Sequence, residues 1–227
     1  MGESVQGYNL FAYGNNNPIN MSDPNGHWPK WATKLVAAVA VVAVVAAVAA
    51  ITVATAGAGT VAAVIAIGAA KGAAIGMIAG AAIGAGTGAI KRRVQTGSWK
   101  GSGKAALNGM GDGALSGAIT GAITGAASSA VKVSQAARTF DRGTFNSSYQ
   151  SMIHHYNKHV MQEGLNKSTN ILKYADDAVS FSNRNSSLLK YTYNYKYGNF
   201  SWNYAYTGQG GMFTSAGKTI TFWYNLL

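Results

Sequence analysis

Hydrophobic and polar positions divide the 227-residue chain into stretches of different period. From Leu35 to Ile51, Leu, Ala, Val and Ile follow one another without a charged or strongly polar side chain, and Thr52 to Ala70 adds only small, weakly polar ones. Such a run approaches bilayer length. Beyond it Gly72, Gly76, Gly80, Gly84 and Gly88 recur every fourth residue, and Gly109, Gly113, Gly117, Gly121 and Gly125 repeat the pattern. On a helix this spacing stays near one face, so each run forms a groove that a second backbone can approach closely. Lys91-Arg92-Arg93 and a turn from Gly97 to Lys104 separate the two zippers. The pattern predicts a Gly/Ala-rich helical hairpin with a basic hinge.

Glycine in a helix costs about 1 kcal/mol per residue in water, so the zippers need lipid or tight packing against another helix. The tract 34–130 therefore enters a membrane or lies buried inside a larger protein shell. Ala and Gly are too weak on insertion scales to decide between the two.

After Ala130 the composition turns to Tyr, Asn, Ser, Trp and His. Ser147 or Ser148 can cap a helix whose apolar stripe is Tyr149, Met152, Ile153, Tyr156 and Val160, with Gly164 just past its end. At about 100° per residue, His155 and His159 fall on one border of that stripe with Lys158 beside them, while His154 points away. A second helix is expected from Thr169 to Phe181, turning Ile171, Leu172, Ala175, Ala178 and Val179 inward. The period then changes to two. Leu189 and Tyr191 to Tyr197 alternate with Lys190, Thr192, Asn194 and Lys196, Gly198-Asn199 forms a two-residue turn, and Phe200 to Tyr206 alternates again. A Gly-rich turn at 208–211, a strand from Met212 to Thr214, a turn at Ala216-Gly217 and a last strand from Lys218 to Tyr224 complete the pattern. The tail is thus expected to be a small α+β domain of two helices and a four-stranded antiparallel sheet. Four segments result: a head at 1–31, the hydrophobic zipper region at 32–130, a linker at 131–146 and the C-terminal domain at 147–227.

Lys and Arg number 18 against 7 Asp and Glu, a net charge of +11 that favours a polyanion or an anionic membrane surface. There is no cysteine, which excludes disulfides and thiolate metal sites. The first thirty residues are polar and turn-rich rather than a basic start before an apolar core, so any export instruction is expected elsewhere.

Within the head, Gly7 to Tyr13 reads as a strand, with dense turn signals at Gly14 to Pro18 and at Asp23-Pro24-Asn25-Gly26. Such a segment cannot bury a core alone. Tyr8-Asn9-Leu10-Phe11-Ala12-Tyr13, Asn16-Asn17-Pro18 and Asp23-Pro24-Asn25-Gly26 resemble the end of the core of Rhs (YD-repeat) proteins, in which a β-shell closes before a variable C-terminal toxin. The resemblance implies that the tract 34–130 serves membrane passage or encapsulation in the Rhs shell. It also implies export or delivery at a cell surface, contact-dependent action in the cytoplasm of a target cell, and an acidic immunity protein as partner. Asp23 stands where some members carry an aspartate of self-cleavage, although His27 replaces the leucine often found after the glycine; the same residues also read as a plain turn.

For the tail, the chemistry that needs only what these residues supply is RNA cleavage. One imidazole takes the proton of a 2′-hydroxyl, another group protonates the departing 5′-oxygen, and cations or hydroxyls stabilise the phosphorane. His155 and His159 are the expected base and acid in either order, Lys158 faces the phosphate, and Thr219, Thr221 or Tyr224 on the last strand donate hydrogen bonds. The reading requires a crevice between helix and strand wide enough for a phosphodiester. Lys190 and Lys196 are candidates for contacts to the RNA backbone beside an aromatic face. The His155, Lys158, His159 spacing before a hydroxyl-bearing last strand resembles the barnase, EndoU, colicin and RelE-like ribonucleases of polymorphic toxins. That resemblance implies a metal-independent endoribonuclease without a cofactor, with tRNA the expected target. Glu163 falls beyond the histidines and Arg184 in a loop, where that family's pattern would want acidic or arginine groups near the site. A metal-dependent DNase would want clustered acidic ligands, and Asp176-Asp177 alone on a helix reads as a solvated face; two further readings compete. In one, the zippers permeabilise membranes and the tail only binds; in the other, His155 and His159 hold zinc, for which Tyr156 stands where a glutamate is needed.

Overall fold

The computed structural model describes residues 29–56, 59–163, 169–184, 190–194, 199–206 and 209–224. The head, with Asp23, lies outside the described residues. Among the described residues the protein is mostly helical, with three long apolar helices, two short ones and an antiparallel sheet. It divides into two compact units, one of Met1–Val48 with Gly68–Ala126, the other of Ala49–Ile67 with Ala127–Leu227.

The expected hairpin is joined by a third helix. α1 runs over Lys30–Ala56, α2 over Val61–Thr96 and α3 over Ser102–Arg138. The continuous apolar run from Leu35 to Ala70 is thus broken before Val61, where the Thr60 hydroxyl accepts the amide of Ala63 at 3.3 Å and caps α2. At the hinge, Gly97 (φ +67°) and Gly101 (φ +81°) adopt left-handed conformations open to glycine. The Gly97 amide closes α2 on the Arg93 carbonyl at 2.9 Å, and the Arg93 guanidinium stacks 5.8 Å over Trp99.

In the first unit α2 and α3 run antiparallel with their glycines face to face. Gly72 meets Gly121, Gly76 meets Gly117, Gly80 meets Gly113, and Gly84 meets Gly109. A Cβ on Gly80 would stand 2.9 Å from the carbonyl carbon of Gly113, and the reciprocal Cβ 2.8 Å from that of Gly80, so any side chain forces the backbones apart. α1 packs by small residues too: Ala38 is buried with Ala114 and Ala118, and Lys34 forms an ion pair with Asp112. Much of what faces outward is aliphatic: Val44 is 62 %, Ile75 68 % and Ile78 67 % exposed, while the buried positions hold Ala and Gly. All three helices are long and apolar enough to cross a membrane.

In the second unit, α4 (Ser148–Tyr156) is capped by the Ser147 hydroxyl, which accepts the Gln150 amide at 3.2 Å. Its last turn widens into a π-helical turn over Asn157–Gln162, closed by the Glu163 amide on the Lys158 carbonyl at 3.1 Å. Tyr149, expected in the apolar stripe, is exposed, because packing begins at Ser151 and Met152. α5 (Ile171–Arg184) buries Tyr174 and Phe181 in addition to Ile171, Ala175 and Ala178. Strands β1 (Lys190–Asn194), β2 (Asn199–Tyr206), β3 (Gln209–Phe213) and β4 (Thr219–Trp223) pair antiparallel in that order. Asn199 pairs with Asn194, so it belongs to the ladder and not to the expected two-residue turn. Gln209, Gly210 and Gly211, expected as a turn, pair with Tyr206, Ala205 and Tyr204. The core joins Phe213 and Phe222 of β3 and β4 to Met152, Tyr156 and Val160 and to Tyr174 and Phe181. Val133, Ala137 and Phe140 belong to the same core, so α3 continues helically through the first half of the expected linker. Thr139 and Asp141 bond the outer edge of β4 through the Thr219 amide (2.8 Å) and carbonyl (2.7 Å).

Phe222→Ala removes a fully buried ring, and should lower the stability of this unit by about 3–5 kcal/mol as read by amide hydrogen exchange of β3 and β4. Gly80→Leu should open α2 from α3 toward an ordinary helix spacing of about 8–10 Å, measurable between spin labels on introduced cysteines.

Candidate functional site

His159 is held at both ring nitrogens. Nδ1 lies 3.0 Å from Glu163 Oε2 and Nε2 lies 3.1 Å from Thr221 Oγ1. A carboxylate can only accept, so Nδ1 carries the proton and the Nε2 lone pair takes the Thr221 hydroxyl hydrogen. The residues come from two elements: the π-helical turn presents His159 and Glu163, and β4 presents Thr221. Period two places Trp223 on the same face of β4 as Thr221, and its ring centroid is 6.3 Å from that of His159. Trp223 in turn needs Gly210 opposite it, since a Cβ there would lie 2.5 Å from the indole. One hydroxyl, one imidazole and one carboxylate thus form a relay of the kind that lets a base take a proton while a third group fixes its tautomer.

The other predicted residues divide. His155 stacks parallel to His159 at 6.0 Å, and its Nδ1 is buried with no hydrogen-bond partner among the described residues. Lys158 is exposed beside them. Thr219 is fully buried and its hydroxyl has no partner among the described residues, while its backbone serves Thr139 and Asp141; it is an edge-pairing residue rather than part of the relay. Tyr224 is engaged elsewhere too, donating its hydroxyl to Asp177 Oδ2 at 2.7 Å; burial, and after it this contact, raises its pKa. Lys196 lies outside the described residues, and Lys190 is placed only as the first residue of β1. Glu163, set aside in the sequence as lying beyond the histidines, is the partner of His159, and its i,i+4 spacing is the signal that could have found it.

Burial is the main force on both imidazoles. It pushes His155 down to about 3, helped by the nearby His154, His159 and Lys158 charges. His159 is also lowered by burial, against the Glu163 carboxylate, which pulls it up, and with Lys158 and His154 acting in the same sense as burial. His155 is therefore neutral at pH 7 and cannot be the protonated acid of the expected pair.

Among the described residues the cavity beside His155 is too small for a phosphodiester. The cavity lined there by Asp141, Ser151, His155 and Ile220 measures about 20 Å³, room for roughly one water. His159 is 7 % exposed, and the exposed side chains next to it are Lys158 and Glu163. No cluster of three metal-ligating side chains occurs among the described residues.

The two depressed histidines couple folding to pH. Unfolded, each takes a proton below about 6.5, which the folded state resists, so the stability they contribute is complete above that pH and is lost as pH falls, down to about 3 for His155. The loss is at most about 1.4 kcal/mol per pH unit per histidine. Denaturation of the tail at pH 7 and pH 4.5 should show this slope, and His155→Phe should flatten it.

No protein-family model, no curated protein and no solved structure matches this chain.

Proposed function

We propose that the chain is the toxin-bearing end of an Rhs-type protein and that its tail is a metal-independent ribonuclease acting on tRNA. The supporting observation is the His159 ring, fixed by Glu163 at Nδ1 and offered a hydroxyl at Nε2. Thr221 occupies the place that a ribose 2′-hydroxyl would take. With RNA bound from the side of Lys158 and Glu163, Nε2 removes the 2′-hydroxyl proton and the 2′-oxygen attacks phosphorus. The bond from phosphorus to the 5′-oxygen breaks, leaving a 2′,3′-cyclic phosphate. Lys158 neutralises the phosphorane and protonates the 5′-oxygen, the role that a neutral His155 cannot fill. The net charge of +11 favours both the RNA and an acidic immunity protein.

The three apolar helices carry this tail into a membrane. Their aliphatic side chains point outward and their glycines inward, which is the arrangement lipid rewards and water penalises. Such an exterior favours delivery across a bilayer over storage in a shell.

With the full chain and purified tRNA, His159→Ala should cut the cleavage rate by at least about a hundredfold. Glu163→Gln should slow it by about tenfold and move the acid limb of the pH–rate profile downward, because the carboxylate is what raises the His159 pKa. Wild-type rates from His159→Ala would overturn the proposal.

A further inference from the structure

Beside its glycines α3 carries a second row. Lys104, Asn108, Asp112, Ser116, Thr120 and Thr124 recur every fourth residue, all are exposed, and each of the last five directly precedes a zipper glycine. Asn108, Asp112, Ser116, Thr120 and Thr124 border a groove of about 1150 Å³ that runs along the α2–α3 contact, with Ile83 and Thr87 of α2 on its other wall. The hydroxyls turn their protons onto their own helices. Ser116 donates to the Asp112 carbonyl at 2.9 Å, Thr124 to the Thr120 carbonyl at 3.0 Å, and Thr87 to the Gly84 carbonyl at 3.1 Å, which leaves their oxygen lone pairs unused. The Asn108 amide makes no hydrogen bond among the described residues. Asp112, the acidic member of the row, is paired with Lys34 of α1.

From Asn108 to Thr124 the row covers about 24 Å at the α-helical rise, close to the hydrocarbon depth of about 30 Å. On α2 the stretch facing it, Gly72 to Ile90, is free of charge and is flanked by Lys71 and by Lys91-Arg92-Arg93. Hydrocarbon cannot cover such a row, since it offers nothing to the lone pairs, the amide or the ion pair. Water can, but three helices exposing the row on one side cannot enclose it.

A second copy of the chain can. Hydroxyls and amides both donate and accept, and the Lys34–Asp112 pair is neutral, so identical rows meet without repulsion. We propose that copies of this chain associate through the α3 row and enclose a water-filled path for ions and small hydrophilic solutes, lined by Asn108, Asp112, Ser116, Thr120 and Thr124. This rests on the membrane reading above and is independent of the ribonuclease.

Because the chain has no cysteine, single cysteines can be placed on the row (Ser116→Cys, Thr120→Cys) and on the aliphatic face (Ile78→Cys, Ile123→Cys) of the full chain in phosphatidylcholine–phosphatidylglycerol vesicles. Flotation of the vesicles checks insertion separately. The row cysteines should react with a hydrophilic thiol reagent at least about tenfold faster than the aliphatic ones, since only a thiol in water ionises readily. An oxidant should link Ser116→Cys, and not Ile123→Cys, into dimers, and Thr120→Leu should slow release of a small trapped dye. Protein that floats while its row cysteines stay as slow as Ile123→Cys and form no dimer overturns the path and leaves the membrane reading standing. Protein that does not float, with every cysteine equally reactive, overturns both.

Discussion

One widened turn of helix governs the tail. Where α4 would have continued with its ordinary pitch, the segment from Asn157 to Gln162 closes with an i→i+5 bond from Glu163 to Lys158, and the adjacent residues His159 and Val160 both become buried. Val160 joins the core, and His159 meets Thr221. Such wide turns are costly and tend to persist where a side chain must be aimed. Here the aim brings an imidazole to the terminal strand and a carboxylate to the far side of the same ring. The rest of the unit supports that placement: Tyr156 is anchored on the Thr169 carbonyl at 3.0 Å, Tyr174 on the Phe222 carbonyl at 2.6 Å, and Trp223 lies over Gly210.

The other unit obeys a different solvent. Its backbones touch through glycine, its buried residues are alanines, and its valines and isoleucines are exposed. In water this ordering forfeits the burial of the most apolar side chains. In hydrocarbon nothing is forfeited, because the aliphatic surface is solvated there and close backbone packing supplies the cohesion. One chain thus combines a unit whose packing suits lipid with a unit whose aromatic core suits water.

Much of this was legible from residue spacing. The glycine periods state the α2–α3 contact directly, and the basic hinge lies between them as the glycines at 97 and 101 require. The separate α1 was not read, because Gly57, Gly59 and Thr60 sit in a background of Ala, Gly and Thr where a break leaves little contrast. In the tail, the alternation from Tyr191 to Tyr206 announced the sheet, but its register could not be read, since Asn199 and Gln209 carry turn-like chemistry while sitting in ladders. His159 and Thr221 were both named from sequence, yet their partner Glu163 was passed over. A π-helical turn adds a residue without changing composition, so the burial of His159 is a tertiary fact. Thr219 and Tyr224 shared the same hydroxyl signal as Thr221, and only the packing of Phe140 against the edge of β4 and the contact with Asp177 separate them from it.

If His159 drives a 2′-hydroxyl onto phosphorus, as proposed, the ends of the cut RNA carry the signature. Treating tRNA with the full chain in the presence of a chelator and analysing the termini should give 2′,3′-cyclic phosphates opposite 5′-hydroxyls. Fragments bearing 3′-hydroxyls opposite 5′-phosphates, or RNA left intact by the folded protein, would rule this chemistry out.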